Sequence, residues 1–232
     1  MAQTEREQAG AAAELSGCVA RWLGAAAHSV ALPVAEADLD ELGPQEAACI
    51  AAAVRARQVE FASGRCAARR VLRACGHPVT ELLRGADRAP LWPAEVEASL
   101  SHAGGLVIAV ARPRQSESGG IGVDLETAAG LSAQDASGVL SARERALAEQ
   151  SEHPEAAALA RFSAKEALFK AMHAAGNQGL DFLAVELLGQ AGEAWDLQLG
   201  ADFERRLPTG ATVRAWSRRL ACGWLSAAEV RA

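Results

Sequence analysis

An α+β fold, with helices packed on a mostly antiparallel sheet in each of two halves, is predicted by three features of this 232-residue chain. Two long blocks, residues 44–74 and 154–175, repeat apolar side chains at helical spacing. Short strand-like runs bounded by turn residues fill much of the remainder. Residues 113–120, Pro-Arg-Gln-Ser-Glu-Ser-Gly-Gly, are polar with proline and paired glycine, which makes them the best linker in the chain. They divide it into residues 1–116 and 117–232.

Residues 1–13 have no strong pattern and are expected to be mobile. His28 to Val34 reads as a short strand. The block from Pro44 to Ala74 is long enough for two consecutive helices, with Pro44 suited to a first turn and Gly76 with Pro78 as the stop. Val79 to Leu83, Ser99 to Ser101 and Leu106 to Ala111 read as extended, with a turn at Gly85 to Pro90; the last run is continuously apolar, as in a buried strand. In the second half, Ile121 to Leu125 reads as a strand, Ser141 with Glu144 as a capping box, and Pro154 to Ala175 as a helix ended by Gly176. Leu183 to Leu188, Trp195 to Leu199, Ala211 to Trp216 and Ala221 to Leu225 complete a second sheet.

Composition narrows the function. The longest strongly apolar stretch, Gly105 to Ala111, is far too short to span a bilayer, and Glu5, Arg6 and Glu7 stand where a secretory signal needs an apolar core. A cytoplasmic protein with no membrane partner is expected. Five scattered cysteines without a Cys-x-x-Cys pair argue against a disulfide framework or a zinc site. A net charge of -6 disfavours nucleic acid as a partner. Locally, Arg55, Arg57, Arg65, Arg69, Arg70 and Arg73 face only Glu60 as a counter-charge, which reads either as an anion-attracting surface or as a solvated helix face. Of 23 basic residues only Lys165 and Lys170 are lysine. Where arginine otherwise supplies the positive charge, a retained lysine suggests a site that fits a compact ammonium but not a planar fork.

Three motifs carry possible chemistry. In Gly122-Val-Asp-Leu-Glu126, Asp124 and Glu126 sit at i and i+2 of a strand and project from one face, where they can hold one hard cation or simply be solvated. In Phe162-Ser-Ala-Lys-Glu-Ala-Leu-Phe-Lys170, Glu166 and Lys170 share a helix face while Lys165 points elsewhere; the bland alternative is a surface ion pair. In Ser99-Leu-Ser-His102, followed by Gly104-Gly105, Ser101 and His102 can meet a phosphate or can be structural.

In order and spacing these motifs, with Arg57-Gln-Val-Glu-Phe-Ala-Ser-Gly-Arg65 and Arg88-Ala-Pro-Leu-Trp-Pro93, resemble those of the Sfp-type phosphopantetheinyl transferases, particularly the branch like enterobactin synthase component D. The resemblance covers residues 55–175 and departs at Ala98, where that branch often has glycine. It implies a pseudo-dimer of two similar halves in one monomeric chain, with the active site in the cleft between them. The activity it implies is transfer of the phosphopantetheine arm of coenzyme A to a serine of an apo acyl or peptidyl carrier protein, as in a holo-acyl-carrier-protein synthase. The implied metal is Mg²⁺ or Mn²⁺, held by Asp124, Glu126 and Glu166. Glu166 is then the general base, with Lys170 against the pyrophosphate and Lys165 supporting phosphates or metal geometry. Arg57, Arg65 and His102 map to the 3'-phosphate, with Ser101 beside the phosphates. Arg84, Gly85, Ala86 and Asp87 map to the adenine loop. A Mg²⁺-dependent phosphohydrolase and a non-catalytic binding module are the alternatives.

Overall fold

The computed structural model describes residues 2–127, 133–177 and 179–232. The chain divides into two compact units, Met1–Arg114 and Gln115–Ala232, a division that falls inside the polar stretch 113–120. Mixed helices and antiparallel sheets make up both.

The first unit runs α1 (Ala2–Leu23), β1 (His28–Pro33), a 3-10 turn (Glu36–Glu41), α2 (Pro44–Ile50), α3 (Arg55–Ala74), β2 (Val96–Ala103) and β3 (Leu106–Pro113). Its antiparallel sheet has the order β1-β3-β2. Small side chains let α3 lie close to the sheet: Ala67, Ala68, Val71 and Leu72 pack with Val107, Ala109 and Ala111 of β3. On the opposite face Ser29, which lies across from Val110, donates to Ser16 O of α1 (3.2 Å). The continuous apolar run of β3 is explained by a sheet covered on both sides.

The chain's first residues depart from expectation. Residues 2–13 belong to the single helix α1 instead of a patternless segment. Ala12, Leu15, Cys18, Val19, Trp22 and Leu23 are buried and form one helical stripe, whereas the sequence of the first turns, Ala-Gln-Thr-Glu-Arg-Glu-Gln, carries no apolar signal. Val79 to Leu83 forms no strand; an isolated bridge between Arg84 and Pro90 closes the following loop.

The second unit runs β4 (Gly120–Glu126), α4 (Ala133–Val139), α5 (Ala142–Glu149), α6 (Pro154–Ala174), a 3-10 turn (Phe182–Ala184), β5 (Val185–Ala191), β6 (Ala194–Leu199), α7 (Ala201–Arg206), β7 (Thr212–Leu220) and β8 (Gly223–Arg231). The five strands are antiparallel in the order β4-β8-β7-β6-β5. Along α6, Ala164, Ala167, Leu168, Ala171 and Met172 form a core with Leu187, Ala215, Ala228 and Val230. Gly120 and Gly122 govern this contact. A Cβ at Gly122 would overlap the carbonyl oxygen of Ala167, and one at Gly120 that of Ala171. The glycine opening the Gly-Val-Asp-Leu-Glu motif therefore lets helix backbone rest on strand backbone. Among the described residues no helix is long and apolar enough to cross a membrane.

Candidate active site

Side-chain alternation puts Asp124 and Glu126 on the same face of β4 as Gly120 and Gly122, the face that α6 covers. Because the glycines bring α6 so close, Lys170 reaches across to donate to Asp124 Oδ1 (2.7 Å) and to the carbonyl of Val123 (3.1 Å). Glu166 lies one turn before Lys170, on the same side of the helix. Asp124 is buried, while Glu126, Glu166 and Lys170 are half-buried.

Crowding of like charge is visible in the acid strengths. The Glu126 carboxyl is pushed up to about 7 by burial and then by the charges of Asp124 and Glu166, against the pull of Lys170. Glu166 is raised by burial and by Asp124, again opposed by Lys170. Three carboxylates against one ammonium leave an excess of negative charge in a poorly solvated place. An all-oxygen donor set of this kind fits a hard divalent cation, which typically takes carboxylates and completes its shell with water or phosphate oxygens.

The closest grouping of potential ligands lies elsewhere. Among the described residues the atoms of Asp38, Glu41 and Cys66 lie within 4.8 Å of one another, a spacing the three carboxylates of β4 and α6 do not reach. Hydrogens already fill the former group. Cys66 donates to Glu41 Oε2 (3.3 Å) and Ser63 to Asp38 Oδ2 (2.6 Å), and burial together with Asp38 pushes the thiol up to about 12. Without a metal, this thiol keeps its proton and donates the hydrogen bond to Glu41.

Lys165 is separated from this set. It is 1% exposed, and its three N–H donors go to Glu144 Oε2 (2.6 Å), Val139 O (2.9 Å) and Phe182 O (2.9 Å). An ammonium has only three donors, so none remains for a phosphate. The sequence singled out the two lysines together, whereas the structure sends them to different sides of α6. Glu144, which the sequence marked only as a cap, is the residue that reasoning from spacing missed.

In the first unit a basic group forms at α3, β2 and the 84–90 loop. Arg57 donates to His102 Nε2 (2.7 Å), which fixes that nitrogen as acceptor and leaves Nδ1 protonated, 3.9 Å from Glu60. Arg65 lies over the Phe61 ring at 4.3 Å, and burial lowers its pKa to about 10 despite Glu46 nearby. At neutral pH it therefore remains charged. Its Nε has no hydrogen-bond partner among the described residues, an unusual state for a buried guanidinium. Ser101 is buried one residue before His102 in β2. Gly85, Ala86 and Asp87 lie in a tight loop: Gly85 N donates to Ala89 O (2.8 Å), Ala89 N donates to Asp87 Oδ1 (3.0 Å), and Arg88 takes a φ of 73°. The arginines of 55–73 do not form one solvated face. Arg65 and Arg69 are buried, Arg69 binding both oxygens of Glu46 at 3.0 and 2.7 Å, while Arg55 pairs with Glu36 and Arg70 and Arg73 are exposed.

The basic group lies within residues 45–112, which match the 4'-phosphopantetheinyl transferase N-terminal domain, and the acidic group within residues 120–222, which match the 4'-phosphopantetheinyl transferase superfamily. The chain belongs to the 4'-phosphopantetheinyl transferase superfamily. The 4'-phosphopantetheinyl transferase Svp of Streptomyces mobaraensis is 36% identical over 157 residues, 63% of this chain. That stretch spans 60% of the relative's length. Among solved structures, the Mycobacterium tuberculosis acyl carrier protein synthase (AcpS) is similar at 20% identity with a TM-score of 0.39, over 48% of this chain and 96% of that one.

Proposed function

We propose that this phosphopantetheinyl transferase family member moves the 4'-phosphopantetheine arm of coenzyme A onto a serine of an apo acyl or peptidyl carrier protein, releasing adenosine 3',5'-bisphosphate. The observation that carries the reading is the carboxylate-rich face of β4 opposite Glu166 and Lys170, in the segment matching the superfamily. In the reaction the serine oxygen forms a bond to the phosphorus that bears the pantetheine, and the bond from that phosphorus to the bridging oxygen breaks. Mg²⁺ or Mn²⁺, held by Asp124, Glu126 and Glu166, would supply positive charge against the pyrophosphate.

Glu166 takes the serine proton. In the metal-free protein burial and Asp124 raise its pKa, which makes it a stronger proton acceptor than an ordinary carboxylate. Lys170, turned toward Asp124, sets its positive charge against the departing oxygen. On the first unit, the buried and incompletely hydrogen-bonded Arg65 is suited to an anion, and with Arg57 and His102 it takes the 3'-phosphate. Arg84, Gly85, Ala86 and Asp87 border the adenine, and Ser101 the phosphates. We assign Lys165 no contact with coenzyme A, since its donors are already used. The reading is of a cytoplasmic monomer, with neither nucleic acid nor membrane as partner.

Incubation with coenzyme A, Mg²⁺ and a panel of apo carrier proteins, followed by intact mass, tests this. A carrier that gains one phosphopantetheine supports transfer. Free phosphate with every carrier unmodified would mean a phosphohydrolase instead.

A further inference from the structure

Each unit contains one glutamate, fully buried, at the third position of a short helix, and the two make matching contacts. Glu46 of α2 accepts from the backbone N–H of Gly43 at its own cap (3.1 Å), from the N–H of Leu82 (2.9 Å) and from Arg69 on the long helix α3 (2.7 Å). Glu144 of α5 accepts from the N–H of Ser141 at its own cap (2.8 Å), from the N–H of Leu187 (2.9 Å) and from Lys165 on the long helix α6 (2.6 Å). In each case one carboxylate joins a short helix, a long helix and a later segment of the chain, the loop at Leu82 in one unit and β5 at Leu187 in the other. The long helix is the one that carries site residues: Arg57 and Arg65 on α3, Glu166 and Lys170 on α6.

We infer that Lys165 and Glu144 are a positioning pair, which grips α6 from behind so that Glu166 and Lys170 meet the acidic face of β4. The inference rests on the transferase reading for its catalytic consequence only. Glu166 directly follows Lys165, so any roll of the helix that relaxed the ammonium would re-aim the neighbouring carboxylate. Lys165 also binds Val139 O, the last residue of α4, and Phe182 O, leading into β5. Four elements therefore converge on a single nitrogen. Removing one partner of a buried pair leaves an uncompensated charge, whereas removing both charges is often tolerated.

The scarcity of lysine supplies the test. Protein labelled with ¹³C and ¹⁵N in lysine alone carries two side-chain spin systems, one for each of Lys165 and Lys170. In Lys165→Met the single remaining signal reports Lys170 beside Asp124. It should shift from its wild-type position, and turnover per folded molecule should fall about 10²-fold, as for a displaced catalytic group. KM for coenzyme A should stay within about twofold, since no substrate contact is lost. In Glu144→Gln/Lys165→Met both charges are gone, and the Lys170 signal and turnover should return toward wild type. Should the single variant not fold, Glu144→Gln, which keeps the lysine and its two carbonyl acceptors, is read in the same way.

An unmoved Lys170 signal in the single variants would overturn the positioning role and leave the pair merely structural. A double variant with a restored signal but no turnover would mean that Lys165 acts on substrate directly. If the wild type transfers nothing, the transferase reading fails while the Lys170 signal still decides whether the pair positions the helix.

Discussion

Within the acidic group, Glu126 and Glu166 are the carboxylates whose surroundings hold them above the ordinary range. In the unfolded chain Glu126 ionises near the ordinary value of 4.5, and in the folded protein near about 7. Between these values the folded protein holds a proton that the unfolded chain has lost, so stability falls as pH rises through the window. Glu166 shifts in the same direction. With a chelator present, the melting temperature should therefore decline from about pH 5 to pH 7.5, and Mg²⁺ should reverse most of the decline at the upper end. A melting temperature that rises over this range would contradict the assigned repulsion. At Lys170 the expected sensitivity is to shape: Lys170→Arg keeps the charge, but the larger fork does not fit between Asp124 and Val123 O, and turnover should fall by about 10². Steady-state kinetics against a carrier measures this. The shared face of Asp124 and Glu126 was legible from strand alternation alone. The fate of Lys165 was not, because its acceptors at positions 139, 144 and 182 are remote in sequence and spacing along one helix cannot say what covers each side.

At the scale of elements, the contact of β4 with α6 makes the acidic site possible. Gly122→Ala would drive a methyl group into the carbonyl of Ala167, and should destabilise the protein by about 1–3 kcal/mol as overpacked cores do. It should also weaken the Lys170 bridge to Asp124, because the helix must retreat. Gly189→Ala in β5, where a Cβ meets nothing within 4 Å, is the control, expected within about 0.5 kcal/mol of wild type in urea unfolding. The long helices α3 and α6 and the apolar strand β3 could be read from periodicity because each repeats its pattern over many residues. Short elements could not: α4, α7 and the 3-10 turns span seven residues or fewer, too few for a period to emerge. The beginning of α1 was hidden for a different reason, since residues 2–8 are polar apart from Ala2 and show no apolar period.

For the molecule as a whole, the linker composition indicated a two-part chain, and the separate family matches to residues 45–112 and 120–222 fall one in each unit. What composition did not reveal is that each unit uses a buried helix-cap glutamate to hold a long helix, Glu46 with Arg69 and Glu144 with Lys165. The two devices share no sequence motif beyond a glutamate three residues after the cap, and their cations differ in type, so only the contacts make the likeness visible. In the proposed division of labour, the first unit recognises the 3'-phosphate and adenine and the second performs the transfer. The most direct measurement follows carrier mass and free adenosine 3',5'-bisphosphate together, in wild type and in Glu166→Gln, with coenzyme A, Mg²⁺ and an apo carrier. One bisphosphate released per carrier modified, with both lost in Glu166→Gln by a factor of about 10² or more, is the predicted result. Phosphate or bisphosphate released without any change in carrier mass, or undiminished transfer by Glu166→Gln, would contradict it.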